Sequence, residues 1–424
     1  MKHPKFIASV LCLAVLCFNQ NASYSQDALR QITTDTFQKS VSINTAVTQA
    51  NRALIEIQTL DFLKAPKFKK VILPLVFHII AKPGETAPDM KQVQSQIDAL
   101  NRDFDKKSYK SKHKADSLEK FNDKVCDSEI QFCLAQQDPS GKVTTGINFI
   151  SSTSTAWGMS QDIKLSNKGG MSPWNPALYI NVWVANLGST TSGYAQMPGG
   201  PIETDGIVID FQFFGTIGTA KAPYNQGKTL THLIGNYLNL YDLWGPCYCC
   251  DDGVGDTPIH NAPNYGKTDT YKHVSLCFGN PVEQSMNFMD NTDDDWMYMF
   301  TTGQKLRMQS VLSDKGARFG LVNSNTSCSK KLNDLQARAQ ESTSFSLYPN
   351  PGHGTVTLEI NTNKPNDVHI DVFDAVGRQM LSFKSSLVDG KNIHHLNTQH
   401  WPTGLYVVKV GSSQMLSEHK LLIQ

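Results

Sequence analysis

The sequence predicts an α/β (α+β) domain followed by a small all-β, immunoglobulin-like sandwich. The length of 424 residues is enough for two or three domains. Up to residue 322, apolar strands alternate with amphipathic helical stretches, whereas short strands with turn signals between them fill residues 343–424. A polar stretch at 323–342 separates the two patterns. Two hydrophobic cores joined by a linker are therefore expected.

The larger domain, assigned to residues 69–322, begins with an apolar strand. Residues 69–80 (KKVILPLVFHII) are rich in β-branched residues, and Pro74 within them indicates an edge or a bulge. Four apolar residues then recur at the spacing of one helix face: Val93, Ile97, Leu100 and Phe104. Further strands are predicted at 129–135, 177–185 and 205–211. Strands and helices in this order predict a twisted sheet with helices packed against it.

The smaller domain, residues 343–424, has the pattern of a β-sandwich. Alternating apolar residues predict strands at 355–360, 368–373 and 405–410. Turn signals such as Asn350-Pro351-Gly352 and Pro402-Thr403-Gly404 separate them. Such spacing is typical of a small sandwich.

The N-terminus has the features of a secretory signal peptide. Lys2 and Lys5 precede an apolar run, and Ser23 and Ser25 stand at −3 and −1 to a cleavage after residue 25. The run is too short for a membrane anchor, and no later stretch approaches ~20 apolar residues, so no membrane span is expected. We therefore expect residues 1–25 to be a signal peptide and residues 26–68 a pro-segment or N-terminal arm.

Charge and cysteine content fit an exported protein without a nucleic-acid partner. Lys and Arg number 39 against 38 Asp and Glu, so no global charge indicates nucleic acid or an anionic membrane. Seven of the nine cysteines lie outside the signal peptide, and most are expected to form disulfides. Their connectivity stays open, as does metal binding by the cluster Cys247, Cys249 and Cys250.

One stretch, HLIGNYLNLYD, keeps the frame of a zinc-protease helix but few of its reactive residues. The full frame is H-E-x-x-H-x-x-G-x-x-H, with three zinc-binding histidines, a glutamate as general base and a glycine that ends the helix. His232 keeps the first ligand position, and Leu233 replaces the base. Asn236, Asn239 and Asp242 replace the second histidine, the glycine and the third histidine.

These replacements predict a site without a catalytic residue. Leu233 has no proton to transfer, and the neutral amide of Asn236 is a poor zinc ligand. Asn239 can still end the helix, because asparagine tolerates the left-handed conformation. We thus treat His232, Asn236 and Asp242 as vestigial zinc positions and expect zinc to be lost or weakly bound. In a site without metal, His232→Ala is expected to change stability by no more than about 1 kcal/mol.

An acidic, glycine-rich stretch follows the motif. Asp252, Asp256 and Thr257 offer oxygen ligands, so they are candidate calcium ligands. A capped surface loop without metal is the alternative.

Several segments in one order resemble the pappalysin (cytophagalysin) family of metzincin zinc endopeptidases. They include V-I-L-P-L-V-F-H-I-I, Y-I-N-V-W-V, D-G-I-V-I, the degenerate motif, D-D-G-V-G-D-T-P and N-F-M-D-N-T-D-D-D-W-M-Y-M-F-T-T-G-Q, and they span about residues 70–320. The resemblance implies a metzincin-like catalytic-type domain with a substrate cleft, a zinc ion, a calcium loop and a methionine turn at Met289. The family's tyrosine two residues later corresponds to Asn291, and a frequent cysteine corresponds to Trp296.

The C-terminal segments Y-P-N-P-G, V-F-D-A-V-G-R and P-T-G-L-Y-V-V-K-V resemble the sorting domain of the type IX secretion system. That resemblance implies recognition by the type IX export machinery and passage through the periplasm to the cell surface or the medium.

Together these features predict a secreted pappalysin-like homologue that is catalytically inactive. A binding or decoy module with a protein or peptide ligand in the former substrate cleft is the leading hypothesis. An active zinc-dependent endopeptidase with an atypical ligand set, in which His232 and Asp242 still chelate, is the alternative. A purely structural cell-surface scaffold is a third possibility.

Overall fold

The computed structural model describes residues 30–39, 44–67, 69–106, 119–188, 191–266, 273–323, 344–362, 365–375, 377–412 and 415–424. The chain divides into two compact units, residues 1–328 and 329–424. The signal peptide and most of the linker lie outside the described residues, so both stay predictions. Within the described residues, no helix has the length and apolar character needed to cross a membrane.

The first unit contains a six-stranded, mostly parallel sheet in the order β2-β1-β4-β6-β5, with β3 paired to the second part of β1. Its strands are β1 (Val71–Ala81), β2 (Ile130–Leu134), β3 (Ile147–Ser151), β4 (Ile180–Ala185), β5 (Gly193–Ala195) and β6 (Ile207–Asp210). Only β5 is antiparallel to its neighbour. Strand β5 is the last in this order, so it forms one outer edge of the sheet.

Pro74 lies where β1 has a neighbour on one side only. It pairs with Cys133 of β2, and the pairing with β4 begins one residue later at Leu75. Since proline has no N–H to donate, this one-sided position suits it. The predicted edge is thus a local edge on a strand that is otherwise central.

The helices of this unit are α1 (Thr34–Gln38), α2 (Ala46–Lys64), α3 (Met90–Asp103), α4 (Lys228–Tyr237), α5 (Thr302–Leu312) and α6 (Gly320–Asn323). The predicted apolar face of α3 is buried in the core with the sheet. Lys228 and Thr231 of α4 both donate to the Asp103 carboxylate of α3, at 2.5 and 2.8 Å. This contact fixes α4, the motif helix, against α3.

The N-terminal arm packs against the outer edge of the sheet. Ile32 forms a parallel bridge with Gly193 of β5, and Thr33 N donates to Gly193 O at 3.1 Å. Arg30 is completely buried, forms an ion pair with Asp294 and donates to Thr292 O at 2.9 Å. The arm therefore continues the sheet beyond β5.

Helix α2 anchors the arm a second time. Glu56 accepts two hydrogen bonds from the buried Arg307 guanidinium of α5, at 2.8 and 2.6 Å. Thr59 and Ser310 hydroxyls lie 3.0 Å apart in the same interface. Residues 30–64 are thus part of the first unit's packing.

The second unit is an antiparallel β-sandwich, as predicted. Its sheets have the orders β10-β9-β12-β13 and β11-β8-β7. The strands are β7 (Ser344–Tyr348), β8 (Thr355–Thr362), β9 (Asn366–Asp374), β10 (Gln379–Leu387), β11 (Gly390–Asn397), β12 (Gly404–Ser412) and β13 (Met415–Ile423). Apolar residues of both sheets, among them Val356, Ile370 and Val408, share one core.

Arg30→Ala is expected to destabilise the first unit by roughly 3–5 kcal/mol, because it leaves the buried Asp294 carboxylate without its cation. Asp294 also accepts from Gln226 N at 2.7 Å, so its position affects the start of α4. Urea unfolding measures the loss. Lys39→Ala, which removes an exposed lysine from the same arm, is the matched control and should change stability by less than about 0.5 kcal/mol. Equal stability of the two variants would contradict the buried ion pair.

Candidate functional site

Helix α4 ends in a turn that returns the chain toward its own start. Leu238 N donates to Ile234 O at 2.9 Å, and Leu240 N donates to Gly235 O at 2.9 Å. Between them, Asn239 adopts a left-handed conformation with φ 79°. The predicted role of Asn239 as a helix-ending residue is therefore confirmed, and the turn carries Asp242 back to His232.

The three vestigial zinc positions meet around one carboxylate oxygen. Asp242 Oδ1 lies 2.8 Å from His232 Nε2 and accepts from Asn236 Nδ2 at 2.9 Å. His232 Nδ1 lies 3.1 Å from the carbonyl oxygen of Asp290. His232, Asn236 and Asp242 are all at most 2% exposed. The motif frame therefore predicted correctly which side chains converge.

The partners of His232 determine where its protons lie. A carbonyl oxygen only accepts, so Nδ1 must carry a proton toward Asp290 O. Nε2 lies at hydrogen-bonding distance from the Asp242 carboxylate oxygen. Both ring nitrogens are consequently engaged in hydrogen bonds within the protein.

Asn236 presents its N–H groups to the site. Its Nδ2 also donates to Leu240 O at 3.2 Å, and this backbone carbonyl fixes the amide orientation. The amide oxygen is buried and has no hydrogen-bond partner within the described part of the chain. Asn236 thus acts as a donor to Asp242 where a zinc ligand would need a lone pair.

These residues do not fit a zinc ion. Zinc needs lone pairs from about three protein ligands, whereas His232 Nε2 is paired with Asp242 at 2.8 Å and Asn236 presents its N–H groups to the site. Across the described residues, no group of three His, Cys, Asp or Glu side chains is arranged to hold a metal. The cluster is a closed hydrogen-bond network in the place of a metal centre.

Leu233, at the position of the general base, belongs to the hydrophobic core. It is completely buried, and a Cβ added at Gly193 of β5 would lie 2.7 Å from its Cδ1 atom. A glutamate at 233 would therefore place a carboxylate in an apolar contact with the sheet edge, which is costly without a partner. The base position has become a packing position.

Met289 lies beneath α4, as the resemblance implies. Its sulfur is the nearest neighbour of a Cβ added at Gly235, and Leu243 N donates to Met289 O at 3.3 Å. Asn291, in the place of the family's tyrosine, is 2% exposed. Trp296 donates from its indole to Ser285 Oγ at 3.1 Å. The second region of the former site has thus also been rebuilt as packed interior.

A buried polar cluster that the sequence analysis missed supports Asp290. Asn264 Nδ2 donates to both Glu283 Oε2 (2.9 Å) and Asp290 Oδ2 (2.7 Å). Gln284 N donates to His260 Nε2 at 3.0 Å, so neutral His260 carries its proton on Nδ1, 3.6 Å from Asp290.

Burial raises the pKa of Asp290 to about 7 and lowers the pKa of His260 to about 4. Spacing could not reveal this cluster, because its members come from separate loops. Its effect is to fix the Asp290 carbonyl that accepts from His232.

The candidate calcium residues belong to two separate hydrogen-bond groups. Asp252 accepts from Thr257 Oγ1 at 2.8 Å and from Val254 N at 3.1 Å, and burial raises the pKa of Asp252 to about 7. Asp256 instead accepts from Thr301 Oγ1 at 2.7 Å and from Gly303 N at 2.9 Å, at the start of α5. Calcium binding at Asp252, Asp256 and Thr257 stays a prediction.

The cysteine cluster is explained by disulfides. Cys247 pairs with Cys250, and Cys249 pairs with Cys277. Cys133 is also disulfide-bonded, and Cys126 is free. The alternative of metal binding by the cluster is therefore wrong, because all three of its thiols are in disulfides.

A parallel sheet with an antiparallel edge strand, a motif helix and a methionine beneath that helix define the metzincin class of peptidase folds. Residues 166–313 match the family model described as "Pregnancy-associated plasma protein-A". Residues 346–424 match a secretion system C-terminal sorting domain.

Solved structures of one peptidase resemble most of the first unit. Mature mirolysin of Tannerella forsythia, in complex with a cleaved peptide, is 33% identical, with a TM-score of 0.57 over 61% of this chain and 97% of that one. A promirolysin mutant is 31% identical, with a TM-score of 0.57 over 65% of this chain and 95% of that one. The chain therefore belongs to the pappalysin family of metallopeptidases.

Curated relatives match a shorter stretch. An extracellular metalloprotease of Arthroderma otae is 31% identical over 173 residues, which is 35% of this chain and 60% of the relative. Extracellular metalloprotease 1 of Coccidioides posadasii is 37% identical over 95 residues, or 22% of this chain and 33% of the relative. These relatives and the sorting domain indicate a secreted or cell-surface protein.

His232→Ala is expected to destabilise the first unit by roughly 3–5 kcal/mol, because it leaves the buried Asp242 without its main partner. This replaces the small change expected from the sequence, which did not show that His232 is fully buried and paired. Urea unfolding in saturating calcium, with and without a zinc chelator, measures the effect. The wild type should unfold at the same denaturant concentration in both conditions. A chelator-induced loss that zinc alone reverses would contradict a metal-free network.

Proposed function

We propose that this chain is a secreted pappalysin homologue that does not hydrolyse peptides and acts as a binding or decoy module. The observation that carries the proposal is the hydrogen-bond network of His232, Asn236 and Asp242, which uses up the donors and acceptors that zinc would need. With Leu233 in the core, the helix also offers no base to activate water. Loss of a general base alone typically lowers a rate by ~10² to 10⁴.

The edge strand β5 is the feature that supports peptide binding. Its outer side pairs with residues of the N-terminal arm through Ile32 and Gly193. Addition of an extended segment to a sheet edge is a general mode of peptide recognition, in which backbone hydrogen bonds give affinity and side-chain pockets give specificity. The arm thus occupies the position that an external peptide would take.

The contacts of Arg30 support a pocket beside β5 that accepts a guanidinium. The Arg30 guanidinium pairs with Asp294, lies 4.7 Å from the Tyr224 ring centroid and is 3.0 Å from the Met297 sulfur. One carboxylate and one aromatic ring suit a guanidinium. A ligand peptide with an arginine would therefore compete with Arg30 for this pocket.

Release of residues 30–34 does not require the whole arm to leave. Helix α2 has its own contacts with α5 through Glu56 and Thr59. Binding would then be a local exchange of an internal segment for an external one. The apparent affinity of the ligand would be reduced by the fraction of molecules in which the arm covers the site.

The C-terminal sandwich supports export rather than ligand recognition. A sorting domain is an address, and the type IX secretion machinery is its expected partner. Export of a protein whose edge strand β5 can pair with an extended segment is consistent with capture of a peptide or protein.

A peptide assay tests both parts of the proposal. Wild type, Arg30→Ala and Lys39→Ala are mixed with a fluorescent peptide that contains one arginine, and cleavage and anisotropy are recorded. No variant should cleave the peptide. Arg30→Ala should bind it at least about tenfold more tightly than wild type, because its arm no longer fills the pocket. Lys39→Ala should bind as wild type does.

Two outcomes would contradict the proposal in different ways. Chelator-sensitive cleavage by purified wild type would favour the active endopeptidase with an atypical ligand set. Absence of binding by all three proteins would favour a structural scaffold.

A further inference from the structure

Three large apolar side chains project from a disulfide-bonded region of the first unit. Tyr248 is 69% exposed, Leu276 is 74% exposed and Phe278 is 104% exposed. Each is one residue away from Cys249 or Cys277, which are joined by a disulfide with a Cα–Cα distance of 5.5 Å. The three side chains, called the apolar tip below, therefore belong to one surface patch.

The backbone of the apolar tip is held in place by the protein. Val274 and Val282 form an antiparallel bridge, and Ser275 N donates to Pro281 O at 2.8 Å. Leu276 N donates to Asn261 Oδ1 at 2.8 Å, which ties the hairpin to the neighbouring loop. Since the tip is already ordered, little conformational entropy would be lost when it binds.

The root of this hairpin is fixed to the interior. Glu283, which follows Val282, is buried and accepts from Asn261 N at 3.2 Å and from Asn264 Nδ2 at 2.9 Å. The second disulfide, Cys247–Cys250, encloses Tyr248 in a short loop. These side chains are rigidly supported but contact little of their own protein. This indicates that they contact a partner.

Shape and charge indicate the kind of partner. Phe278 exposes as much surface as it would in an extended chain, so the tip is convex. Residues 274–282 (VSLCFGNPV) and 246–250 (PCYCC) carry no charged side chain in the sequence. A protein partner would need a matching concave pocket, whereas a bilayer interface accepts a convex apolar tip. Phenylalanine, leucine and tyrosine favour that interface.

The charges beside the tip do not favour an anionic lipid. Asp251, directly after the Cys247–Cys250 loop, is an exposed carboxylate. The exposed Lys39 offsets this charge, because its ammonium donates to Pro246 O at 3.2 Å beside the same loop. Charges of both signs give no net attraction to an anionic surface.

We propose that the apolar tip, Tyr248, Leu276 and Phe278, inserts into the interfacial region of an uncharged or zwitterionic lipid surface and holds the exported protein on it. The attachment is peripheral and uses apolar contact alone. It does not depend on the proposed peptide binding.

Vesicle flotation with pure phosphatidylcholine tests this. Wild type should float with the vesicles to the same extent at low and high salt, because the contact is apolar. The double variant L276S/F278S should lose at least about tenfold in partition coefficient. Phe149→Ser is the matched control, since Phe149 is 59% exposed on β3, away from the tip. Equal thermal unfolding of the variants would confirm that they are folded.

Three results would overturn the proposal. One is failure of the wild type to float with phosphatidylcholine vesicles, and another is an equal loss of binding in Phe149→Ser and the double variant. Binding only to anionic vesicles, with loss at high salt, would show an electrostatic contact instead of apolar insertion.

Discussion

The Asp242 carboxylate is the acceptor on which the candidate site depends. It receives His232 from the middle of α4 and Asn236 from the next turn of the same helix. These bonds join the helix to the chain that follows the left-handed turn at Asn239. Through Asp290, His232 is also joined to the segment that carries Met289. Hydrogen bonds thus link α4, the turn after it and the Met289 segment.

The hydrogen-bond network explains why the residues at the zinc-motif positions form a consistent set. A buried imidazole needs partners for both nitrogens, and Asp290 O and Asp242 supply them. Asn236 donates a further hydrogen bond to Asp242. Leu233, at the motif position of the general base, packs against β5. Loss of any one partner would leave a buried polar group unpaired, so the network is costly to break.

Local patterns in the sequence were enough to predict much of the fold. The apolar face of α3 and the conformation of Asn239 were each predicted and each confirmed. They depend on residues within a few positions of one another, where helix and turn rules apply. The convergence of His232, Asn236 and Asp242 was also predictable, because the zinc-motif frame specifies it.

Contacts between distant parts of the chain were not predictable. Arg30 and Asp294 are 264 residues apart, and neither has a local pattern that identifies the other. The cluster around His260, Glu283 and Asp290 joins separate loops in the same way. The burial of His232 determines its energetic importance, and only the assembled sheet and helices show that burial.

Long-range ¹H–¹⁵N NMR of the His232 ring tests the metal-free network most directly. A hydrogen-bonded site predicts a proton on Nδ1 and an Nε2 resonance that stoichiometric zinc leaves unchanged. A zinc-induced shift of the Nε2 resonance, reversed by a chelator, would show that His232 still binds metal and would contradict the network described here.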